Sequence, residues 1–183
     1  MESRELREAC YEANRAIVDA GLVLLTWGNA SACDHDRGVF AIKPSGVSYE
    51  TLSPESIVIV SLESGEVVDG TLRPSSDTPT HLELYRAFPS AGGIVHTHSH
   101  HAVVFAQARR PVPVMGTTHA DHFRYEIPVT RPLTQEEVDG SYEANTGLVI
   151  AETFRASSLD PRETPAVLVA NHGPFAWGED AHH

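Results

Sequence analysis

Cysteine is scarce in this chain: there are two in 183 residues, Cys10 and Cys33. Two thiols cannot build the disulfide framework of a small secreted domain. Both are expected to be reduced thiols of a cytoplasmic protein, with Cys10 on the apolar face of a helix. Long hydrophobic runs are also missing. No stretch approaches the ~18 apolar residues that cross a bilayer, and no signal-peptide pattern opens the chain, so no membrane partner is expected. Positive charge is short as well: 13 Lys and Arg stand against 25 Asp and Glu, a net charge of −12. That balance argues against nucleic acid as a partner. It leaves room for an anionic small molecule if the site is locally positive, which a bound dication achieves. No internal repeat, low-complexity tract or linker interrupts the chain. With 41% hydrophobic residues it reads as one domain, 1–183, with a core of its own.

Histidine is what the chain does have, and its placement carries chemistry. Gly93-Ile94-Val95-His96-Thr97-His98 reads as a β-branched strand ending in two histidines two residues apart. Residues i and i+2 of a strand share a face, with Cα atoms about 6.5–7 Å apart. Two imidazoles so placed can meet on one ion, although two unrelated surface histidines would look the same. A third, His172, follows the apolar run Ala166–Ala170, where Asn171-His172-Gly173-Pro174 marks a turn. Three histidines with one open position are the ligand set of a catalytic zinc site. His35, His100, His101, His182 and His183 read as solvated or locally satisfied.

The remaining pattern predicts a layered domain. Leu6, Cys10, Ala13, Ile17 and Ala20 make residues 3–20 an amphipathic helix stopped by Gly21. Residues 22–25 read as a short buried strand leading into a turn at 26–31, and 39–42 as another strand. Residues 57–62 and 67–68 flank Ser64-Gly65 as a hairpin. Helices are expected over 79–88, 100–108 and most of 135–156, interrupted by Gly140 and Gly147. A strand is expected over 92–98, an edge strand or coil at 112–115 and a polar loop at 116–123. Hairpins mixed with helices favour an α/β domain with a mostly antiparallel sheet. A doubly wound parallel fold is disfavoured, because no glycine-rich phosphate loop follows the first strand.

Three loops, at Gly28-Asn29, Ser45-Gly46 and Ser75-Ser76, offer hydroxyl, amide and backbone N–H donors, and Lys43 adds a charge beside the second. Such a set can cradle a phosphate, although each alone is ordinary turn chemistry. Asp77 reads as a fourth metal ligand, a partner of the ligands or a base, and as a cap for the helix that follows; the two roles can hold together. Asp121, between His119 and His122, is either a proton shuttle or a plain loop aspartate.

The motifs together carry a resemblance. They are Thr26-Trp27-Gly28-Asn29, Ile42-Lys43-Pro44-Ser45-Gly46-Val47, Pro74-Ser75-Ser76-Asp77-Thr78-Pro79-Thr80-His81, Gly93–Ser99, Gly116–Asp121 and His172–Gly178. In order and spacing the chain resembles the L-ribulose-5-phosphate 4-epimerases of the class II aldolase/epimerase superfamily. The resemblance implies a three-layer α/β/α sandwich around a mostly antiparallel sheet, a zinc ion and a homotetramer. It implies His96, His98 and His172 as metal ligands with Asp77 beside them. It implies Gly28, Asn29, Lys43, Ser45, Gly46, Ser75 and Ser76 as contacts to a phosphorylated ketopentose, and Asp121 as a catalytic acid/base. Asp121's family partner is a tyrosine from a neighbouring subunit, in a C-terminal segment of the family that these 183 residues do not contain.

The implied reaction interconverts L-ribulose 5-phosphate and D-xylulose 5-phosphate. C4 carries no acidic hydrogen, so a retro-aldol route is expected: the C4 hydroxyl loses its proton, the C3–C4 bond breaks, and the aldehyde turns before the bond re-forms. One rival is a class II aldolase of the L-fuculose-1-phosphate type, in which glutamate typically follows the serine pair where this chain has Asp77. Another is a truncated, non-catalytic zinc-binding domain.

Overall fold

A computed structural model describes residues 3–182. The strands are β1 (Asn29–Asp34), β2 (Val39–Ile42), β3 (Val58–Ser61), β4 (Val67–Asp69), β5 (Gly93–His96), β6 (Ala166–Leu168) and β7 (Pro174–Gly178). They form one seven-stranded sheet in the order β4-β3-β2-β1-β5-β7-β6, and every neighbouring pair is antiparallel. The expected mixed α/β fold with an antiparallel sheet is thus the observed one.

Strand alternation sorts the core into two clusters. Phe40 and Ile42 of β2 join Val60, Ile94, Val167 and Phe175 on one face of the sheet. Ala41, one residue out of phase, joins Ala32 and Ile59 on the other, as a period of two requires. Helix α1 (Ser3–Asp19) covers the second face with a stripe of Leu6, Cys10, Asn14 and Ile17. Asn14 is polar yet fully buried, and its side chain bonds both the N–H and the C=O of Ala30, at 3.0 and 2.8 Å. Those are backbone groups of β1 just beyond its ladder with β2, which ends at Ser31. Without Asn14 the N–H would be buried and unmet, and the C=O would keep only the Cys10 thiol at 3.4 Å.

The first face is covered by α2 (Thr78–Ala87) and α6 (Tyr142–Ala156), which contribute Leu84, Tyr85, Ile150 and Phe154. The expected break at Gly147 does not occur: α6 runs through it. A Cβ there would sit 2.6 Å from Glu83 Cβ and 3.0 Å from the Thr80 carbonyl, so this glycine lets α6 lie close against α2. Gly140 does interrupt, separating α6 from the short α5 (Gln135–Asp139), which opens on a capping box of Thr134 and Glu137. Helix α3 (His100–Gln107) and the hairpin of β3 and β4 form as expected.

Other expectations are corrected. Residues 22–25 make no strand: Leu22, Leu24 and Leu25 are exposed, Leu25 at 80%, and Leu25 has φ +54. Trp27 N–H bonds the Leu24 carbonyl, closing a tight turn. The strand instead begins at Asn29, with Ala30 and Ala32 buried beneath α1. Residues 117–122 are a short helix, α4, rather than a loop. Strand β5 ends at His96, so His98 lies beyond it. Strand β7 was not anticipated; its proline stands at the first position, where a missing N–H is tolerated. No helix among the described residues is long and apolar enough to cross a membrane.

Candidate metal centre and substrate pocket

The three histidines arrive from different places. His96 ends β5, opposite Asn29 of β1 in the sheet register. His98 stands two residues on. His172 lies in the turn between β6 and β7, directly after Asn171, whose φ of +66 is a conformation asparagine tolerates. Gly173 follows, and a Cβ there would lie 2.9 Å from the Thr97 carbonyl and 3.5 and 3.6 Å from the rings of His98 and His96. The bare backbone lets this turn press against the other two histidines.

The rings converge through Nε2. His96 Nε2 is 3.0 Å from His98 Nε2, which is 3.2 Å from His172 Nε2. Two nitrogens on a tetrahedral zinc at about 2.0–2.1 Å stand roughly 3.3 Å apart, so the donor set fits such an ion. The outward nitrogens match that role. His96 Nδ1 donates to the Pro174 carbonyl at 2.9 Å, leaving the Nε2 lone pair facing inward. The His96 ring also stacks on Phe175 at 4.2 Å. Burial, then the neighbouring His172, lowers the His96 pKa to about 3; burial and His98 lower that of His172. Neutral imidazole is the ligating form. Among the described residues this is the group of His, Cys, Asp or Glu side chains disposed to hold a metal.

The triad forms one wall of a pocket of about 290 Å³ that also takes in Gly28, Asn29, Lys43, Ser45, Gly46, Ser75, Ser76 and Asp77. All the anion-loop residues singled out from the sequence therefore meet the histidines. Backbone pairing does this: Ser75 N–H bonds the Lys43 carbonyl at 3.0 Å, and Ser45 N–H bonds the Arg73 carbonyl at 2.9 Å.

Lys43 is 2% exposed. It makes no ion pair with a carboxylate among the described residues; its ammonium lies 4.7 Å above the Tyr49 ring and 3.4 Å from the Pro44 carbonyl. Burial lowers its pKa. Asn29 donates to Asp77 Oδ2 at 2.6 Å and to Ser75 Oγ at 3.3 Å, while its own Oδ1 is buried without a partner. Asp77 is the N-cap of α2 by position, but its side chain makes no capping bond. It borders the pocket held by Asn29 and is not among the converging ligand atoms.

Asp121 is not brought to this pocket within the chain. It is exposed on α4 and lines a separate pocket with Ser90, His122, Arg162 and Glu179. Two residues of the histidine pocket were not anticipated, Tyr142 and Glu143 at the start of α6. The Tyr142 hydroxyl is 3.1 Å from His172 Nδ1. Nothing local in the sequence marks them, since their approach to His172 depends on how α6 docks.

This geometry has known counterparts. The chain belongs to the class II aldolase and adducin N-terminal domain family, whose profile matches residues 8–183. Among solved structures it is similar to an L-fuculose 1-phosphate aldolase at 26% identity and a TM-score of 0.78, covering 97% of this chain and 77% of that one. An L-fuculose-1-phosphate aldolase from Thermus thermophilus is 29% identical, with a TM-score of 0.73 and coverage of 98% and 81%. A sugar-phosphate aldolase from Thermotoga maritima shares the fold at 18% identity and a TM-score of 0.67, covering 97% and 84%. The protein is thus a class II aldolase-type domain with a histidine triad disposed to take a metal.

Proposed function

We propose that this protein interconverts L-ribulose 5-phosphate and D-xylulose 5-phosphate by breaking and re-forming the C3–C4 bond, with zinc at His96, His98 and His172. The observation that carries the reading is Lys43: a buried ammonium without a carboxylate partner, in one pocket with the triad. An uncompensated buried cation is costly unless a ligand meets it. A sugar phosphate does so while setting its carbonyl end toward the histidines. Ser45, Gly46, Ser75 and Ser76 supply further donors to the phosphate, and Gly28 lines the same pocket against the backbone of His96 and Thr97.

A metal at the triad supplies Lewis acidity toward the substrate carbonyl. Asp77, oriented by Asn29, adds negative charge beside it. Asp121 enters this reading as an acid/base delivered across a subunit interface of a homo-oligomer, a tetramer by family resemblance, because within one chain it opens onto a different pocket. Asp77 in the sequence Asp77-Thr78-Pro79-Thr80-His81 supports the epimerase over an aldolase.

A second reading, cleavage of an L-fuculose-1-phosphate-type substrate, draws on the two aldolase structures at 26% and 29% identity. Zinc-loaded protein given each sugar phosphate separates the two. The epimerase forms D-xylulose 5-phosphate without accumulating free aldehyde; the aldolase releases aldehyde. Turnover of neither by zinc-loaded protein rejects both readings for these 183 residues.

A further inference from the structure

We infer that Tyr142 is a positioning residue for the metal centre: its hydroxyl accepts the Nδ1–H of His172 and so keeps that ring oriented with Nε2 toward a metal. The inference rests on the reading of the triad as a metal site. Its basis is the unequal support of the three rings. His96 sits on the central sheet, and its Nδ1 is held by a main-chain carbonyl at 2.9 Å. Among the described residues, His98 Nδ1 makes no hydrogen bond. His172 belongs to a turn rather than to a strand, so no ladder fixes its ring. Its outward nitrogen meets a side chain, the Tyr142 hydroxyl, at 3.1 Å.

Tyr142 can bear that role because of where it is anchored. It opens α6, and α6 is pressed onto α2 at Gly147. The Thr146 hydroxyl also bonds the Tyr142 carbonyl at 2.9 Å. The phenol oxygen is therefore set by the helical layer, while the ring it steers belongs to the sheet layer. An imidazole has one N–H when neutral. If Nδ1 holds it, Nε2 offers a lone pair; if Nε2 holds it, the ring cannot ligate through that atom. In the second state the tyrosine donates to Nδ1 instead, so the hydrogen bond itself survives in both. What the contact supplies is a polar partner that keeps Nδ1 oriented and able to carry the proton when Nε2 ligates. Partners of this kind typically contribute about 10–100-fold in metal affinity.

The test is zinc affinity, measured by competition with a chromophoric chelator, for the unmodified protein, Tyr142→Phe and His98→Asn. Phenylalanine keeps the ring and loses only the acceptor. Zinc binding about 10–100-fold weaker in Tyr142→Phe is expected, with an unchanged circular dichroism spectrum and melting temperature of the metal-free form. The second measurement is nitrogen-15 NMR of the zinc-loaded protein. The His172 Nδ1–H of the unmodified protein should be protected from solvent exchange, and in Tyr142→Phe it should exchange fast. A tyrosine that merely fills space would move neither readout. Equal affinity in Tyr142→Phe, or an unprotected Nδ1–H in the unmodified protein, overturns the inference alone. If the unmodified protein binds zinc no better than His98→Asn, the metal reading fails and takes the inference with it.

Discussion

Replacing Lys43 by methionine removes a charge while keeping most of the volume, at a residue that is 2% exposed. The substitution should weaken binding and strengthen the fold. A hydrogen bond from this ammonium to a phosphate is charge-assisted and worth about 1.5–3 kcal/mol, or roughly 10–150-fold in Kd. Without ligand the same ammonium is a liability, with only a carbonyl at 3.4 Å and the Tyr49 ring at 4.7 Å to replace its hydration. Relieving that cost falls in the usual range for substitutions that trade function for stability, about 0.5–2 kcal/mol. For a domain of this size each kcal/mol moves Tm by about 2–4 °C.

The sign with pH follows from the lowered pKa. Between that native value and the ordinary lysine value the unfolded chain binds more protons at this group, so its contribution to stability rises with pH there. The buried Cys10 and Cys33 thiols, Cys33 pushed up to about 12 by burial, pull the opposite way. The difference between Lys43→Met and the unmodified protein isolates the lysine. The variant's advantage in Tm should shrink as pH rises toward the lysine range. Calorimetry gives Tm against pH, and titration with L-ribulose 5-phosphate and with L-ribulose gives the two affinities. Loss of affinity for both sugars alike, or a variant less stable than its parent at neutral pH, refutes the reasoning.

Ser76→Ala should weaken binding of the phosphorylated ketose by about 10–100-fold through loss of one bond to the charged phosphate, with zinc content intact; equal affinity would remove Ser76 from the phosphate site. Gly147→Ala places a Cβ 2.6 Å from Glu83 Cβ and 3.0 Å from the Thr80 carbonyl. It should cost about 1–3 kcal/mol by forcing α6 off α2, and an unaltered Tm would show that the helices part freely. Asp121→Asn should keep zinc and fold but slow epimerisation by about 10²–10⁴-fold in the assembled enzyme; an unchanged rate there would make Asp121 a surface residue only.

Much was legible from residues alone, and the reason is local periodicity. The stripe of Leu6, Cys10 and Ile17 writes α1, the β-branched run before His96 writes β5, and Ser64-Gly65 marks the hairpin of β3 and β4. The donor set of the metal centre was legible too, because two histidines stand at a strand end and a third in a turn after an apolar run. Where the reading failed locally, packing overrode composition. Leu22, Leu24 and Leu25 look buried but form an exposed turn, closed by the Trp27 N–H on the Leu24 carbonyl. Meeting in space was beyond the sequence. Lys43 and Ser75 pair across 32 positions, Asn29 reaches Asp77 across 48, and Tyr142 meets His172 across 30. Sheet order and the docking of α6 on α2 decide these distances, and the same packing leaves Asp121 facing another pocket. Side-chain chemistry and turn geometry are properties of neighbouring residues, so the sequence determined which groups this protein can offer to a metal or an anion. Which of them share one cavity depends on backbone hydrogen bonds between distant segments, and only the tertiary structure decided that.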